Sequence, residues 1–277
     1  MTELSDLLSV AAAAVDEAAG LVKDMAIKAV DAKGDRDMVT NIDLAVEDSV
    51  RSFLDRETPE IGFYGEEGGA TGTQGRPLTW VLDPVDGTAN LTHGIKLCGV
   101  SLGLVQGKDA VAGVIDLPFL DERYSAARGL GAVSQGQQLH VRTSGRLDQA
   151  IVGIGDYAVG LNAEKKNRQR FALTQLLAQE VLRIRMLGSA AIDLCWAASG
   201  RLDACIALSN HPWDMAAGVV IAREAGAVVM DLDGSDHNLA STATIAVAPS
   251  LREPLISVLA RLGSSPSNAT PGFGDAS

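Results

Sequence analysis

Apolar positions recur at helical spacing over residues 4–29, where Leu4, Leu7, Leu8, Ala11, Ala14, Val15, Ala18, Val22 and Met25 form one face with acidic residues between them. A long amphipathic helix is expected there. Residues 33–37, Lys-Gly-Asp-Arg-Asp, read as a polar loop punctuated by glycine, and Ile42, Val46, Val50, Phe53 and Leu54 mark a second helix starting near Thr40 or Asn41. Two helices are thus expected before any strand. Over residues 61–142 the texture changes to short β-type runs, at 61–64, 79–82, 98–105, 110–116 and 123–127, separated by glycines. From residue 151 the periods alternate, with strands at 151–154, 183–187, 203–208, 228–232 and 244–247 and helices at 164–180, 189–199, 214–225 and 250–262. The pattern describes a layered α/β (α+β) chain, with an α+β half over residues 1–142 and an α/β half over 143–262. Residues 263–277 hold Gly, Ser, Pro and Asn with almost no large apolar side chain, the composition of a disordered tail.

A chain of 277 residues with 47% apolar content can bury a substantial core. Its net charge of -12 argues against nucleic acid or an anionic membrane as partner, because either would be repelled. No basic region precedes an apolar segment at the N-terminus, and no apolar run reaches the length of a membrane span, so a cytoplasmic enzyme is expected. Cys98, Cys195 and Cys205 each lie inside an apolar run without paired spacing, which favours reduced core thiols over disulfides or a zinc site.

The chemistry concentrates in residues 80–90, Trp-Val-Leu-Asp-Pro-Val-Asp-Gly-Thr-Ala-Asn. An apolar strand delivers Asp83, held extended by Pro84, and then Asp86, after which Gly87 lets the backbone approach a ligand and Thr88 supplies a hydroxyl. Two carboxylates and the Val85 carbonyl are oxygen donors suited to Mg²⁺ rather than Zn²⁺. Glu66 and Glu67 follow another strand-like run and offer a further ligand, and Asp214 stands at the start of a helix whose Ala216, Ala217 and Gly218 permit close packing. Each acid also has an ordinary explanation. Asp214 can cap its helix, Glu66 and Glu67 can be solvated loop acids, and Asp83 and Asp86 can be turn residues. Asp43 fits a capping box with Thr40, a role that can coexist with catalysis, while Glu47 reads as an exposed helix acid or a partner of Arg51.

Five blocks occur in order: residues 37–43 (Asp-Met-Val-Thr-Asn-Ile-Asp), 65–67 (Gly-Glu-Glu), 80–90, 188–191 (Gly-Ser-Ala-Ala) and 213–218 (Trp-Asp-Met-Ala-Ala-Gly). Together, over about residues 33–227, they resemble the inositol monophosphatase family, within the superfamily of Mg²⁺-dependent, lithium-sensitive phosphatases. The resemblance implies a layered αβαβα sandwich of the inositol monophosphatase and fructose-1,6-bisphosphatase type, usually as a homodimer, with two or three Mg²⁺ ions per site. Glu66, Asp83 and the Val85 carbonyl resemble the ligands of the first ion, and Asp83, Asp86 and Asp214 those of the second. Asp43 and Thr88 resemble the pair that orients and deprotonates the attacking water, with Glu66 also in the catalytic set. Substrate phosphate is expected on Asp86 and on the backbone of Gly87, Thr88 and Ala89, together with Gly188, Ser189 and Ala190 at a helix start.

The implied reaction is hydrolysis of a small-molecule phosphate monoester, with inositol 1-phosphate leading and histidinol phosphate, fructose 1,6-bisphosphate and 3′-phosphoadenosine nucleotides as alternatives. One departure bears on substrate. Members selective for inositol phosphate carry a glutamate seven residues before the helix aspartate, and here that position is Ala207. Ser209, Asn210, Arg185 and Asp156 are candidates to replace its contacts. A non-catalytic regulatory role for the same fold is a second reading.

Three other motifs compete. Residues 99–103, Gly-Val-Ser-Leu-Gly, match a nucleophile elbow but sit inside one continuous apolar run, whereas an elbow needs a turn into a helix. Gly153-Ile154-Gly155 lacks a third glycine at the dinucleotide spacing, and residues 231–236 lack the glycine and glutamate of a calcium loop, so a hairpin turn at Asp233-Gly234 is expected instead.

Overall fold

Helix α1 (Leu4–Asp24) buries Leu7, Ala11, Ala14, Val15, Ala18 and Val22, the face its spacing marks, in a computed structural model that describes residues 3–34, 37–143 and 145–263. It ends at Asp24 rather than near residue 29 because Asn41 grips the segment that follows. The Asn41 Oδ1 accepts from the N–H groups of Lys28 (2.7 Å) and Ala29 (3.2 Å), and its Nδ2 donates to the Ala26 carbonyl (3.2 Å). Backbone groups taken by that side chain are withdrawn from the helical ladder. The loop expected next is part of a hairpin, β1 (Val30–Gly34) with β2 (Asp37–Thr40), so two strands intervene between the first two helices. All of β1 is exposed, and with no buried face it leaves no alternation in the sequence. Helix α2 (Asn41–Glu57) then starts where expected, at a capping box of Thr40 and Asp43.

Strands β3 (Gly62–Gly65), β4 (Gly69–Thr71) and β5 (Leu78–Asp86), the short helix α3 (Thr88–Thr92), and strands β6 (Gly99–Gln106), β7 (Asp109–Leu117), β8 (Glu122–Ala127), β9 (Gly131–Ser134) and β10 (Gln137–Gln138) follow. They form one sheet in the order β10-β9-β8-β7-β6-β5-β3-β4, antiparallel except for the parallel pair β3 and β5. The unpredicted β4, β9 and β10 are too short and polar to show a period. The chain continues through β11 (Ile151–Ile154), α4 (Ala163–Glu180), β12 (Arg183–Arg185), α5 (Ala190–Ala198), β13 (Ala204–Ala207), α6 (Pro212–Glu224), β14 (Val228–Met230), β15 (Thr244–Val247) and α7 (Arg252–Leu259). Its strands order as β12-β11-β13-β15-β14.

Three apolar clusters stack these elements in five layers. Leu7 and Val15 of α1 and Ile42 and Val46 of α2 pack with Leu82 and Leu102 on one face of the larger sheet. On its other face Ile115 and Tyr124 meet Ile192 and Leu194 of α5 and Val219 of α6, which also touch Cys205, Val229 and Ala246 of the smaller sheet. Leu173 and Leu177 of α4 and Leu255 of α7 close the far side against Val152 and Ile245. The order is αβαβα. Ser101 is fully buried inside β6, which removes the nucleophile-elbow reading, and all three cysteines are free and buried. A tight turn does form at Asp233-Gly234, with Gly234 at a φ of 83°. Beyond Gly263 the expected tail lies outside the described residues.

Helix α6 lies against the larger sheet at a distance that only glycine allows. A Cβ on Gly113 would fall 2.5 Å from the Ala217 Cα, and one on Gly103 would fall 2.6 Å from the Ala216 Cβ. Gly113→Ala is therefore expected to overpack the contact and destabilise the fold by about 2 kcal/mol. Urea unfolding measures it, and an unchanged midpoint would mean that the contact is loose.

Candidate active site

Asp83 and Asp86 are three residues apart, a spacing that sends side chains to opposite faces of a regular strand. The register shifts between them: Asp83 faces Ser101 while Asp86 faces Gly99, so β5 carries one more residue than β6 across that interval. This bulge turns both carboxylates to one side. Pro84 has no N–H to lose from the ladder, and the Val85 N–H goes to Asp83 Oδ1 at 3.0 Å. Because β3 runs parallel to β5 with Gly65 beside Leu82, the strand ends deliver Glu66 next to Asp83, and the Glu66 N–H donates to the Leu82 carbonyl at 3.1 Å. Gly87 then turns at a φ of 96°, where a Cβ would sit 2.8 Å from the Leu97 carbonyl.

Glu66, Asp83, Val85, Asp86, Gly87, Thr88, Ala89 and Asp214 all line one cavity of about 200 Å³, with Met38. Asp43 stands behind it. Its Oδ2 accepts from the Thr40 N–H (2.9 Å) and hydroxyl (2.5 Å), completing the helix cap, and its Oδ1 lies 3.0 Å from Thr88 Oγ1, which is also 2.9 Å from the Val85 carbonyl. Asp214 does not cap α6. The N-cap is His211, and Asp214 sits inside the first turn facing the cavity, flanked by Trp213, which packs edge-on against Tyr64 and stacks with His211.

Burial pushes the Asp83 carboxyl well above the usual range, and the neighbouring charges of Glu66, Asp86 and Asp214 push it further. Burial raises Asp214 too, helped by Asp86 and Glu66. Asp86 is raised by burial to about 6, with hydrogen bonds from Ser189, Ala191 and Ala190 opposing the shift. Among the described residues Lys33 reaches this group, with Nζ 2.7 Å from both Glu66 and Glu67. Among the described residues no three acidic, histidine or cysteine side chains converge on one point as they stand. The donor set is nonetheless all oxygen and crowded, which is the chemistry a hard divalent cation answers.

The start of α5 and Glu47 make contacts beyond those expected of them. The start of α5 is occupied by an anion of the chain itself, since Asp86 Oδ2 accepts from the Ser189 hydroxyl (2.5 Å) and the Ala191 N–H (2.6 Å). Gly188, Ser189 and Ala190 line an adjoining cavity that shares Asp86 and Asp214 with the first. Glu47 is only 3% exposed. It pairs with Arg51 and also accepts from the N–H groups of Glu67 (2.9 Å) and Gly68 (2.7 Å), so it fixes the loop that carries Glu66. Its signal was present: Asp43, Glu47 and Arg51 recur every four residues beside the core positions Ile42, Val46 and Val50.

Residues 2–264 match the model of the inositol monophosphatase family. The chain is 36% identical to the inositol-1-monophosphatase ImpA of Mycolicibacterium smegmatis, over 91% of this chain and 89% of that one. It is also 36% identical to inositol monophosphatase 1 of Solanum lycopersicum, over 92% and 95% of the two chains. Among solved structures, the extragenic suppressor protein suhB of Bartonella henselae superposes with a TM-score of 0.85 at 31% identity, over 92% of this chain and 98% of that one. The chain belongs to the inositol monophosphatase family. It is a phosphatase, a hydrolase of phosphoric monoesters.

Two predictions follow from the geometry of this phosphatase. Glu47→Gln replaces a two-oxygen acceptor with one oxygen and a donor, so the Glu67 and Gly68 amides are expected to exchange hydrogen about tenfold faster or more. Unchanged exchange at both would mean that the loop is held by other contacts. A carboxyl raised on folding stabilises at low pH and loses that contribution as pH climbs through its folded value. For Asp86 the window runs from 3.8 to about 6. In cation-free protein the thermal midpoint of Asp86→Asn is expected to gain on the wild type through that window, and a difference that stays flat with pH would contradict the assignment.

Proposed function

We propose that this phosphatase uses Mg²⁺ to hydrolyse a small-molecule phosphate monoester, with inositol 1-phosphate as its leading substrate. The observation that carries the reading is the shared cavity of Glu66, Asp83, Asp86, Asp214 and the Val85 carbonyl, set against the Thr88 and Asp43 pair. Glu66, Asp83 and the Val85 carbonyl would hold one ion, and Asp83, Asp86 and Asp214 a second. Bound there, divalent cations would neutralise a phosphate dianion, acidify water and stabilise the leaving oxygen.

The chain's own groups supply the rest. Thr88 Oγ1 has one proton and two acceptors, Asp43 Oδ1 and the Val85 carbonyl, so it is poised to orient a water and pass a proton toward Asp43. Asp43 Oδ2 is already committed to Thr40, which leaves Oδ1 as the acceptor. The amides of Gly87, Thr88 and Ala89, lining the same cavity, are the donors proposed for the phosphate oxygens. The protein is taken to work as a homodimer in the cytoplasm, and among the described residues no helix is long and apolar enough to cross a membrane.

Phosphate release from inositol 1-phosphate, histidinol phosphate, fructose 1,6-bisphosphate and a 3′-phosphoadenosine nucleotide, with Mg²⁺, with added lithium and with EDTA, tests this reading. Inositol 1-phosphate is expected to turn over fastest, lithium to inhibit and EDTA to abolish the rate. Asp83→Asn is expected to lower kcat about a thousandfold with its fold intact. Near-normal turnover by that variant, or in EDTA, would overturn the metal assignment. Mg²⁺ binding without phosphate release from any of the four would favour the regulatory reading instead.

A further inference from the structure

Residues 208–211 join β13 to α6 and lead the chain to Asp214, an acid that lines both cavities. Of the four candidates to replace the contacts of a carboxylate at 207, Asp156 and Ser209 line the second cavity, of about 180 Å³. Arg185 donates to the Ile184 carbonyl and is not part of the lining. Asn210 lines neither cavity, because its side chain is committed elsewhere. Its Oδ1 accepts from His237 Nε2 and from Thr244 Oγ1, each at 3.0 Å, and its Nδ2 donates to the carbonyls of Asn238 (3.2 Å) and Ser241 (2.8 Å). An amide offers two donor hydrogens and two acceptor lone pairs, and here every one has a partner.

Those partners are themselves held. His237 and Thr244 are both buried, and Thr244 pairs with Ala207 in the register of β15 against β13. Burial, with the Arg223 guanidinium nearby, lowers His237 to about 4, so its imidazole is neutral near pH 7. Asn210 Oδ1 can only accept, which puts the ring hydrogen on Nε2, while Nδ1 is buried without a partner. The imidazole is thus held through Nε2, which also lies 2.9 Å from Thr244 Oγ1. The His237 carbonyl accepts from Arg223 in the last turn of α6. One residue outside α6 therefore touches both the segment entering that helix and the turn that ends it.

The start of α6 depends on such an anchor. His211 at the N-cap makes no side-chain cap hydrogen bond, and Pro212 after it has no N–H to place. The Ser101 hydroxyl reaches the Trp213 carbonyl at 3.5 Å, too long to fix it. Among the described residues no hydrogen-bond donor reaches the Asp214 carboxylate, so the backbone decides where it stands. The nearest side chain upstream that ties that backbone into the body of the protein by hydrogen bonds is Asn210.

We propose that Asn210 is a positioning residue for Asp214: its hydrogen bonds, supported by His237 and Thr244, lock the entry to α6 and so fix the Asp214 carboxylate toward the cation it would share with Asp83 and Asp86. The inference rests on the metal reading of the site and gives it a support that lines neither cavity. Groups behind the ligands orient them, and their loss typically costs about 10- to 100-fold in metal affinity.

Calorimetric titration of Mg²⁺ into substrate-free protein, well below the thermal midpoint of each variant, tests the proposal on wild type, Asp214→Asn, Asn210→Leu, His237→Leu and His237→Gln. The binding event lost in Asp214→Asn marks the ion that Asp214 holds. Asn210→Leu keeps a similar shape without hydrogen-bonding groups, and is expected to weaken that event about tenfold or more while leaving the other nearly unchanged. His237→Leu should weaken the same event in part. His237→Gln, whose amide N–H takes the place of Nε2–H, should restore it. The Mg²⁺ concentration for half-maximal phosphate release from inositol 1-phosphate should rise by the same factor, with kcat at saturating Mg²⁺ nearly constant. A lowered thermal midpoint with unchanged Mg²⁺ binding would make the cluster merely structural and overturn the proposal. Equal weakening of both binding events, or equal losses in His237→Leu and His237→Gln, would overturn it too. If Asn210→Leu fails to fold, the pair at 237 decides. Wild-type protein that binds no Mg²⁺ would remove the metal reading and this inference with it. Mg²⁺ binding that Asp214→Asn weakens, and the variants at 210 and 237 do not, would overturn this inference alone.

Discussion

Carboxylates held close together where little water reaches repel one another and resist ionisation, and the architecture around this site is organised by that problem. Asp43, Glu47, Asp83 and Asp86 are all at most 9% exposed. Each is answered on the side away from the cavity: Asp86 by the first turn of α5, Asp43 by its own helix cap, Glu47 by two loop amides and a guanidinium, Asp83 by the Val85 N–H. On the cavity side, among the described residues, the Lys33 ammonium reaches Glu66. The imbalance is thus directional. Protein donors stabilise the outer lobes of Asp83 and Asp86 and leave both residues lining one pocket, which is the arrangement the proposed ions would complete.

Such a cluster can only be assembled where several layers meet. Asp43 comes from α2 on one face of the larger sheet, Glu66 and Asp83 from the ends of parallel strands within it, and Asp214 from α6 on the other face. Any change in the height of α6 above the sheet moves Asp214 relative to Asp83. Gly103 and Gly113 therefore have a role beyond packing, since the absence of their side chains sets that height through contact with Ala216 and Ala217. Stability and site geometry are coupled at those contacts.

The parts of this arrangement legible in the sequence were those written in side-chain period or in motif. The helices, the long strands and the five-layer order followed from spacing and from resemblance, as did the acids that line the cavity. What escaped was set by backbone geometry and tertiary contact. The hairpin of β1 and β2 has no buried face, and α1 stops where Asn41, distant in sequence, captures its continuation. The bulge at Pro84 and Val85 left no period, although it alone explains how acids three apart share a side. Of the two readings of Glu47, the pair with Arg51 is observed and exposure is not, because the amides of Glu67 and Gly68 cover it.

The two cavities share Asp86 and Asp214 but otherwise draw on different walls. The first is built from β5, the turn after it and the end of β3, and on the proposed reading its residues would meet cations and phosphate, which are the same for every monoester. The second is lined by the segment after β11, by β13 and by α5, and on that reading its residues other than Asp86 and Asp214 would meet the leaving group. Ala207 lines the second cavity and not the first, so a change at that position alters the space beside the acids without touching the residues proposed to hold the ions. On this view the fold separates the reaction from the choice of substrate.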